Sequence, residues 1–259
     1  MTVPTMADMM AQGKQPEVLF WVGAAGSYDD RAKKITRAFV KILQQAKVDF
    51  AVLGVEESST GDAAKRAGNE FLFQMQAMMN IEVLNGYEVK KIVTCDPHSF
   101  NTFKNEYPGL GGNYEVFHHT QFIQNLIAEG RLQIDETTLQ GKRVTFHDPC
   151  YLGRGNDVYE SPRDLVRRLG VNLTEMKRNK RTALCCGAGG AQMFKDAEAG
   201  DKEVNVLRTE EALETTPDII ATGCPYCNTM MTDGIKFKEK ETTVVVKDIA
   251  ELIAEANNL

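Results

Sequence analysis

The stretch VLFWVGAAGS at residues 18–27 carries the pattern that decides the fold. Its five leading apolar residues run into a glycine-containing turn, which is typical of a buried strand. The next segment, residues 29–46, places Ile35, Phe39 and Ile42 on one helical stripe behind two acidic residues expected in the first turn. A buried strand followed by an amphipathic helix indicates an α/β fold.

The same alternation continues to the end of the chain. Further strands are predicted at residues 49–54, 90–94, 114–119, 143–149, 171–176, 218–223 and 242–247. Helices are predicted at residues 63–80, 121–130, 161–170, 204–216 and 248–256. We therefore predict an α/β fold of two similar repeated halves, each a small, mostly parallel sheet with flanking helices.

An internal repeat supports two halves. The tetrapeptide LIAE occurs at residues 126–129 and again at residues 252–255, after similar predicted strands. We align the two halves from this match, allowing the offset between them to change by two residues along the chain. Ala24, Ser59, Asp96 and Ser99 then align with Cys150, Cys186, Cys224 and Cys227, respectively. A polar stretch separates the halves, which gives predicted domains at residues 1–132 and 143–259.

Composition excludes several classes of function. The chain has 259 residues, 42% of them hydrophobic, and a net charge of -6, which argues against nucleic acid and an anionic membrane surface as main partners. Neither a signal-peptide pattern nor an apolar run of the length of a membrane helix is present, so we expect a cytoplasmic protein without direct membrane insertion. Thiols stay reduced there, so the six cysteines are expected to be metal ligands or redox groups.

Five cysteines in the second half form the candidate site: Cys150, Cys185, Cys186, Cys224 and Cys227. Loops at the carboxyl ends of parallel strands meet at one edge of a sheet, so we expect these cysteines to share one cavity. Thiolates select zinc or the iron of a sulfide cluster, and four of them satisfy either. A fifth exceeds tetrahedral zinc and indicates a larger or unusual cluster, or one cysteine free for redox chemistry.

Neighbouring residues add support to this site. The backbone N–H groups of residues 187–190 are expected to donate to sulfur, and a helix beginning near Cys227 would add its positive dipole end. His147 either hydrogen-bonds near the cysteines or caps the end of its strand. Arg154 and the basic residues 177–181 either bind an anion or form a solvated loop.

Other candidates have simpler interpretations. The GAGG sequence follows the cysteines rather than opening a βαβ unit, so it is not a dinucleotide-binding fingerprint. We expect Cys95 to be an inert core thiol. We expect His98, His118 and His119 to be structural or surface residues.

The cysteine pattern resembles a known family. Cys150, the pair Cys185–Cys186 followed by glycine, and Cys224-x-x-Cys227 are similar to the cysteine-rich CCG domain. This domain occurs twice in one of the subunits of heterodisulfide reductase, and also in the iron–sulfur subunits of glycolate oxidase and anaerobic glycerol-3-phosphate dehydrogenase. The resemblance implies that these five cysteines ligate a [4Fe–4S] cluster, which is noncubane in heterodisulfide reductase.

The first half departs from the family pattern. Ala24, Ser59, Asp96 and Ser99 stand where the first copy usually has cysteines, and Cys95 lies one residue before the expected place. Alanine cannot ligate a metal, and serine is a poor substitute for a thiolate. We therefore expect a retained fold in the first half with its ligand cysteines lost.

The resemblance implies an iron–sulfur electron-transfer subunit of a multi-subunit oxidoreductase. Its partner would be a flavoprotein or another iron–sulfur protein. One alternative is a thiol–disulfide reductase of the heterodisulfide type, with the cluster at its active site. A second alternative is a scaffold protein stabilised by zinc.

Overall fold

A computed structural model of the chain describes residues 2–196 and 199–259. Its first half contains the strands β1 (Val18–Trp21), β2 (Phe50–Ala51), β3 (Lys91–Thr94) and β4 (Glu115–His118). The helices of this half are α1 (Met6–Ala11), α2 (Gly23–Tyr28), α3 (Ala32–Gln45), α4 (Asp62–Arg66), α5 (Glu70–Gly86), α6 (Pro97–Asn101) and α7 (His119–Ala128). The strands are all parallel, in the order β2-β1-β3-β4.

The second half repeats this arrangement. Its strands are β5 (Arg143–Phe146), β6 (Asn172–Leu173), β7 (Ile219–Thr222) and β8 (Val245–Asp248). Its helices are α8 (Glu160–Arg167), α9 (Val204–Leu213), α10 (Pro225–Phe237) and α11 (Ile249–Ala256). The parallel order β6-β5-β7-β8 matches that of the first sheet, which confirms the predicted α/β fold of two repeated halves.

The helices α1, α2 and α6 were not predicted, and local capping explains two further departures from prediction. The segment predicted as one helix at residues 63–80 contains two helices, because Gly68 takes a positive φ and the Asn69 side chain caps α5 by accepting from Leu72 N. The two acidic residues predicted in the first turn of α3 instead precede it. Of these, Asp29 accepts a hydrogen bond from Ala32 N at 2.7 Å.

The two halves face each other across one shared apolar core. Phe20, Phe39 and Ile123 of the first half belong to the same buried cluster as Phe146, Leu165 and Ile253 of the second half. At the edge of this interface, the Arg31 guanidinium donates two hydrogen bonds of 2.8 Å to the Glu251 carboxylate. The packing therefore fixes the sheets relative to one another.

In the described parts of the chain, none of the helices combines the length and apolar character that a membrane span requires.

Candidate functional site

Three loops at the carboxyl edge of the second sheet carry the five predicted site cysteines. Cys150 lies in the turn that follows β5, Cys185 and Cys186 lie in the loop between β6 and α9, and Cys224 is the N-cap of α10. The helix begins at Pro225, earlier than predicted, so that Cys227 lies in its first turn. The topology thus directs three separate stretches of sequence to one place.

The five sulfur atoms form one continuous group. Cys185 packs against Cys186, Cys224 and Cys227, and Cys150 interacts electrostatically with Cys185. The Sγ atoms of Cys186 and Cys227 are 3.3 Å apart, and Cys224 Sγ accepts from Cys227 N at 3.5 Å. The structure therefore brings all five cysteines together, and we call them the five-cysteine group.

Protons are unevenly shared within this group. Hydrogen bonds from Cys150 and Cys186 lower the pKa of Cys185 well below the ordinary thiol value. The bond to Cys185 raises the pKa of Cys150 and of Cys186, and the bond to Cys186 raises that of Cys227. A bound metal would be ligated by thiolates and would displace the protons that the raised pKa values favour on these thiols.

Backbone geometry supports the group. Gly187 N donates to Cys185 Sγ at 3.3 Å, one of the contacts expected from residues 187–190. Gly187 adopts a φ of +96°, and a Cβ atom added there would lie 3.3 Å from Met230 Cε. The glycine after the cysteine pair therefore permits both the turn and the close approach of α10.

His147 and Arg208 complete the inner side of the site. A ring nitrogen of His147 and the Sγ atoms of Cys186 and Cys227 lie within 4.8 Å of one another. Arg208 Nε donates to His147 Nδ1 at 3.0 Å. Burial and the guanidinium of Arg208 lower the pKa of His147 to about 3, so this imidazole is neutral.

Arg208 was missed by the sequence reasoning. Its signal is an arginine at helical spacing among inward-facing positions of α9, with Asn205 and Ala212 also buried.

A second buried cation, Arg163, donates to both carboxylate oxygens of Asp148, at 2.7 and 2.8 Å. These pairs fix the chain on both sides of the site.

Three cations of the predicted basic patch form contacts within the protein, two of them with acids. Arg178 pairs with Glu211 at 3.1 Å, Lys180 pairs with Glu160, and Arg154 donates to a backbone carbonyl. These contacts engage three of the cations within the protein, which weakens the interpretation as an anion site relative to that of a solvated loop.

The aligned positions of the first half also come together. Ala24, Ser59, Asp96 and Ser99 line one cavity, which Ala188 and Tyr226 of the second half also line. Asp96 accepts from His98 N at 2.9 Å and from Ser99 Oγ at 2.7 Å, and so caps α6 as Cys224 caps α10. The described residues that line this cavity therefore offer carboxylate and hydroxyl oxygens and no cysteine thiolates.

The remaining candidates take structural positions. Cys95 packs in the shared core, where burial raises its thiol pKa well above the ordinary value. His118 Nε2 lies 3.0 Å from Gly223 O, and His119 Nε2 lies 3.0 Å from Asp248 Oδ1. Both histidines therefore join the two halves, whereas His98 lines the first-half cavity beside Asp62.

The donors of the second half fit a centre for a thiophilic metal. All six cysteines carry free thiols, and the five of the second half lie together, with Cys186, Cys224 and Cys227 buried. Sulfur donors select zinc, copper or iron–sulfur centres over magnesium or calcium. Five sulfurs are one more than a tetrahedral zinc ion accepts.

Comparison with known proteins agrees with this geometry. The model of the cysteine-rich domain family, CCG, matches residues 18–104 and 144–232, one segment in each half. The chain is 48% identical over 255 residues to the probable iron-sulfur-binding oxidoreductase FadF of Bacillus subtilis, covering 98% of this chain and 36% of the relative.

Two other relatives match at similar coverage of this chain. EtfAB:quinone oxidoreductase of Syntrophomonas wolfei is 42% identical, covering 98% of this chain and 36% of the relative. A heterodisulfide reductase subunit of Methanosarcina barkeri is 33% identical, covering 94% of this chain and 59% of the relative. This chain thus spans about a third of the length of the first two relatives. With a family match in each half and its cysteine motif gathered at one sheet edge, the chain belongs to the cysteine-rich CCG domain family.

Proposed function

We propose that this chain is an iron–sulfur electron-transfer subunit of a multi-subunit oxidoreductase. The observation that carries the proposal is the five-cysteine group, in which sulfur donors from three loops converge. The names of the relatives support it, since they include an iron-sulfur-binding oxidoreductase and a quinone oxidoreductase.

Cys150, Cys185, Cys186, Cys224 and Cys227 would hold the cofactor, an iron–sulfur cluster of the [4Fe–4S] type, either cubane or noncubane. Such a cluster supplies single-electron transfer when bound. We assign it to the domain at residues 143–259. The domain at residues 1–132 keeps the fold with its ligand cysteines replaced.

A partner subunit follows from the chemistry. A centre that exchanges single electrons has no hydride acceptor of its own, so oxidation of an organic substrate needs a partner such as a flavoprotein that accepts the hydride. Another iron–sulfur protein would serve as a further single-electron carrier. The relatives are about three times as long as the segment that matches this chain, which is consistent with further domains or subunits in the complete assembly. Six free thiols suit a reducing compartment such as the cytoplasm.

Metal analysis after anaerobic purification tests the proposal. We expect about four iron atoms per chain, as for one [4Fe–4S] centre. Cys186→Ser and Cys224→Ser should lose this iron and the visible absorption, because each removes a sulfur donor. Cys95→Ser is the matched control and should keep both. Wild-type chain that carries zinc without iron would contradict the proposal and favour the scaffold.

A thiol–disulfide reductase is the second candidate function. It is favoured by the cavity beside Ala188 and Tyr226, and by the partial exposure of Cys150 and Cys185. Reduction of a disulfide by the isolated chain, with a reduced viologen dye as the electron source, distinguishes the two functions. Turnover that is abolished in Cys185→Ser would favour the reductase, and its absence would favour the electron-transfer subunit.

A further inference from the structure

A buried pair of side chains lies behind the five-cysteine group and is not used by the proposed function. His147 and Arg208 are each 0% exposed. Arg208 Nη1 donates to Arg178 O at 2.8 Å and to Glu211 Oε2 at 3.0 Å, which anchors the guanidinium. Its Nε–H is thereby directed at His147 Nδ1, 3.0 Å away.

This contact determines where the imidazole carries its proton. A guanidinium can only donate hydrogen bonds, so Nδ1 must accept with its lone pair. A neutral imidazole with a bare Nδ1 has its hydrogen on Nε2. Nε2 of His147 is buried and has no hydrogen-bond partner among the described residues, while one ring nitrogen lies close to Cys186 and Cys227. Since Nδ1 is occupied by Arg208, we take Nε2, which forms no hydrogen bond to sulfur in the structure itself, as the nitrogen available to the cysteines.

The same geometry opposes metal ligation by His147. Ligation through Nε2 needs a lone pair there, which would move the hydrogen to Nδ1. That hydrogen would then face the Nε–H of Arg208, and two donors would meet in a buried site. Histidine is otherwise a common zinc ligand, so the distances alone would have permitted a mixed site with Cys186 and Cys227.

We propose that His147 donates an Nε2–H···S hydrogen bond to sulfur at the Cys186 and Cys227 end of the five-cysteine group, and that Arg208 is the residue that positions it. Its effect on a redox centre rests on the proposed function. A donor to sulfur stabilises the more negative, reduced state and therefore raises the reduction potential.

The first test reads the tautomer and does not depend on iron. Long-range ¹H–¹⁵N correlation spectra of ¹⁵N-histidine-labelled chain, loaded with zinc to keep it diamagnetic, should show the hydrogen of His147 on Nε2. A hydrogen on Nδ1, with Nε2 bound to zinc, would overturn the proposal. Arg208→Leu should release the constraint and allow both tautomers in the spectrum.

The second test reads the reduction potential of the protein purified anaerobically. His147→Leu should keep its iron but have a more negative midpoint potential, and His147→Gln, which retains an N–H donor, should recover part of the loss. Cys95→Ser, the buried thiol outside the group, should leave the potential unchanged.

The outcomes separate the two proposals. Loss of iron from the wild-type chain would reject the iron–sulfur assignment, whereas the zinc spectrum would still decide the tautomer. An unchanged potential in His147→Leu with full iron content would overturn the role of the hydrogen bond. Direct nitrogen coupling of His147 in pulsed electron paramagnetic resonance, as expected for a ligand, would overturn it as well.

Discussion

His98 lines the first-half cavity, and its neighbours there change the pKa of its imidazole. Burial opposes its charged form, but Nδ1 lies 2.9 Å from Asp62 Oδ2, and the negative charges of Asp96 and Asp62 add to this bond. The net effect raises the pKa of His98 to about 9, so it is protonated at neutral pH. A cation–carboxylate pair thus lies in the cavity beside Tyr226.

This pair predicts a pH-dependent contribution to stability. The pKa of His98 is raised from 6.5 to about 9 on folding, so the stabilisation is complete below pH 6.5 and is lost as the pH rises toward 9. His98→Gln should lower the free energy of unfolding by up to about 3 kcal/mol at pH 6 and by much less at pH 9.5. Urea unfolding of both proteins in the same metal state measures this, and a difference that does not change with pH would contradict it.

Helices α9 and α10 bring the inner side of the site together by packing closely. α9 carries Arg208 and α10 carries Cys227, so the distance between these helices sets the distance between the guanidinium and the Cys227 sulfur. The contact depends on Gly234, where an added Cβ atom would lie 2.0 Å from Thr209 Oγ1. Glycine in mid-helix is here a packing requirement.

Alanine substitutions at two helical glycines test this contact. Gly234→Ala should destabilise the protein by about 1–3 kcal/mol, because overpacking outweighs the better helix propensity of alanine. Gly86→Ala is the matched control, since no atom of the described chain lies within 4 Å of a Cβ added there, apart from its own helix backbone and chain neighbours. We expect it to be neutral or stabilising by up to about 1 kcal/mol. Equal effects in thermal unfolding would argue against close packing as the cause.

Periodicity predicted the strands and most of the longer helices, and motif spacing singled out the cysteines, because both signals are local in sequence. The short helices α1, α2 and α6 were not predicted. The role of Arg208 is not local: it depends on a helix face packing over a strand end 61 residues away in the chain. The same is true of His147, for which the sequence left two interpretations open. Asn69 shows the opposite case, in which a local cap was present in the sequence but was overlooked within an apolar run.

At the scale of the whole molecule, the shared core makes the halves depend on each other. Phe146, Leu165 and Ile253 of the second half are each 0% exposed and belong to one cluster with apolar residues of the first half. Removing the first half would expose this surface to water, at a cost of roughly 25 cal/mol per Å². Packing thereby explains why the first half is retained.

Separate expression of the halves tests this dependence. Residues 143–259 alone contain all five site cysteines, yet we expect this fragment to aggregate and to bind little iron, because its apolar face is uncovered. Co-expression with residues 1–142 should restore soluble, iron-containing protein. A sharp thermal transition and full iron content in the isolated fragment would show that the shared core is dispensable.

The corresponding positions Asp96 and Cys224 show that capping a helix and offering a metal ligand are separable roles of one residue. Each accepts hydrogen bonds from the backbone of the helix it precedes, although only one of them offers sulfur. Aspartate is among the best N-cap residues, so a cysteine at such a place can be exchanged for it without a loss of helix stability. After a gene duplication, a metal-ligand position that also caps a helix can therefore lose its sulfur without an unstable intermediate. The fold of a domain can persist after its metal site is lost, because the residue at that position still caps the helix.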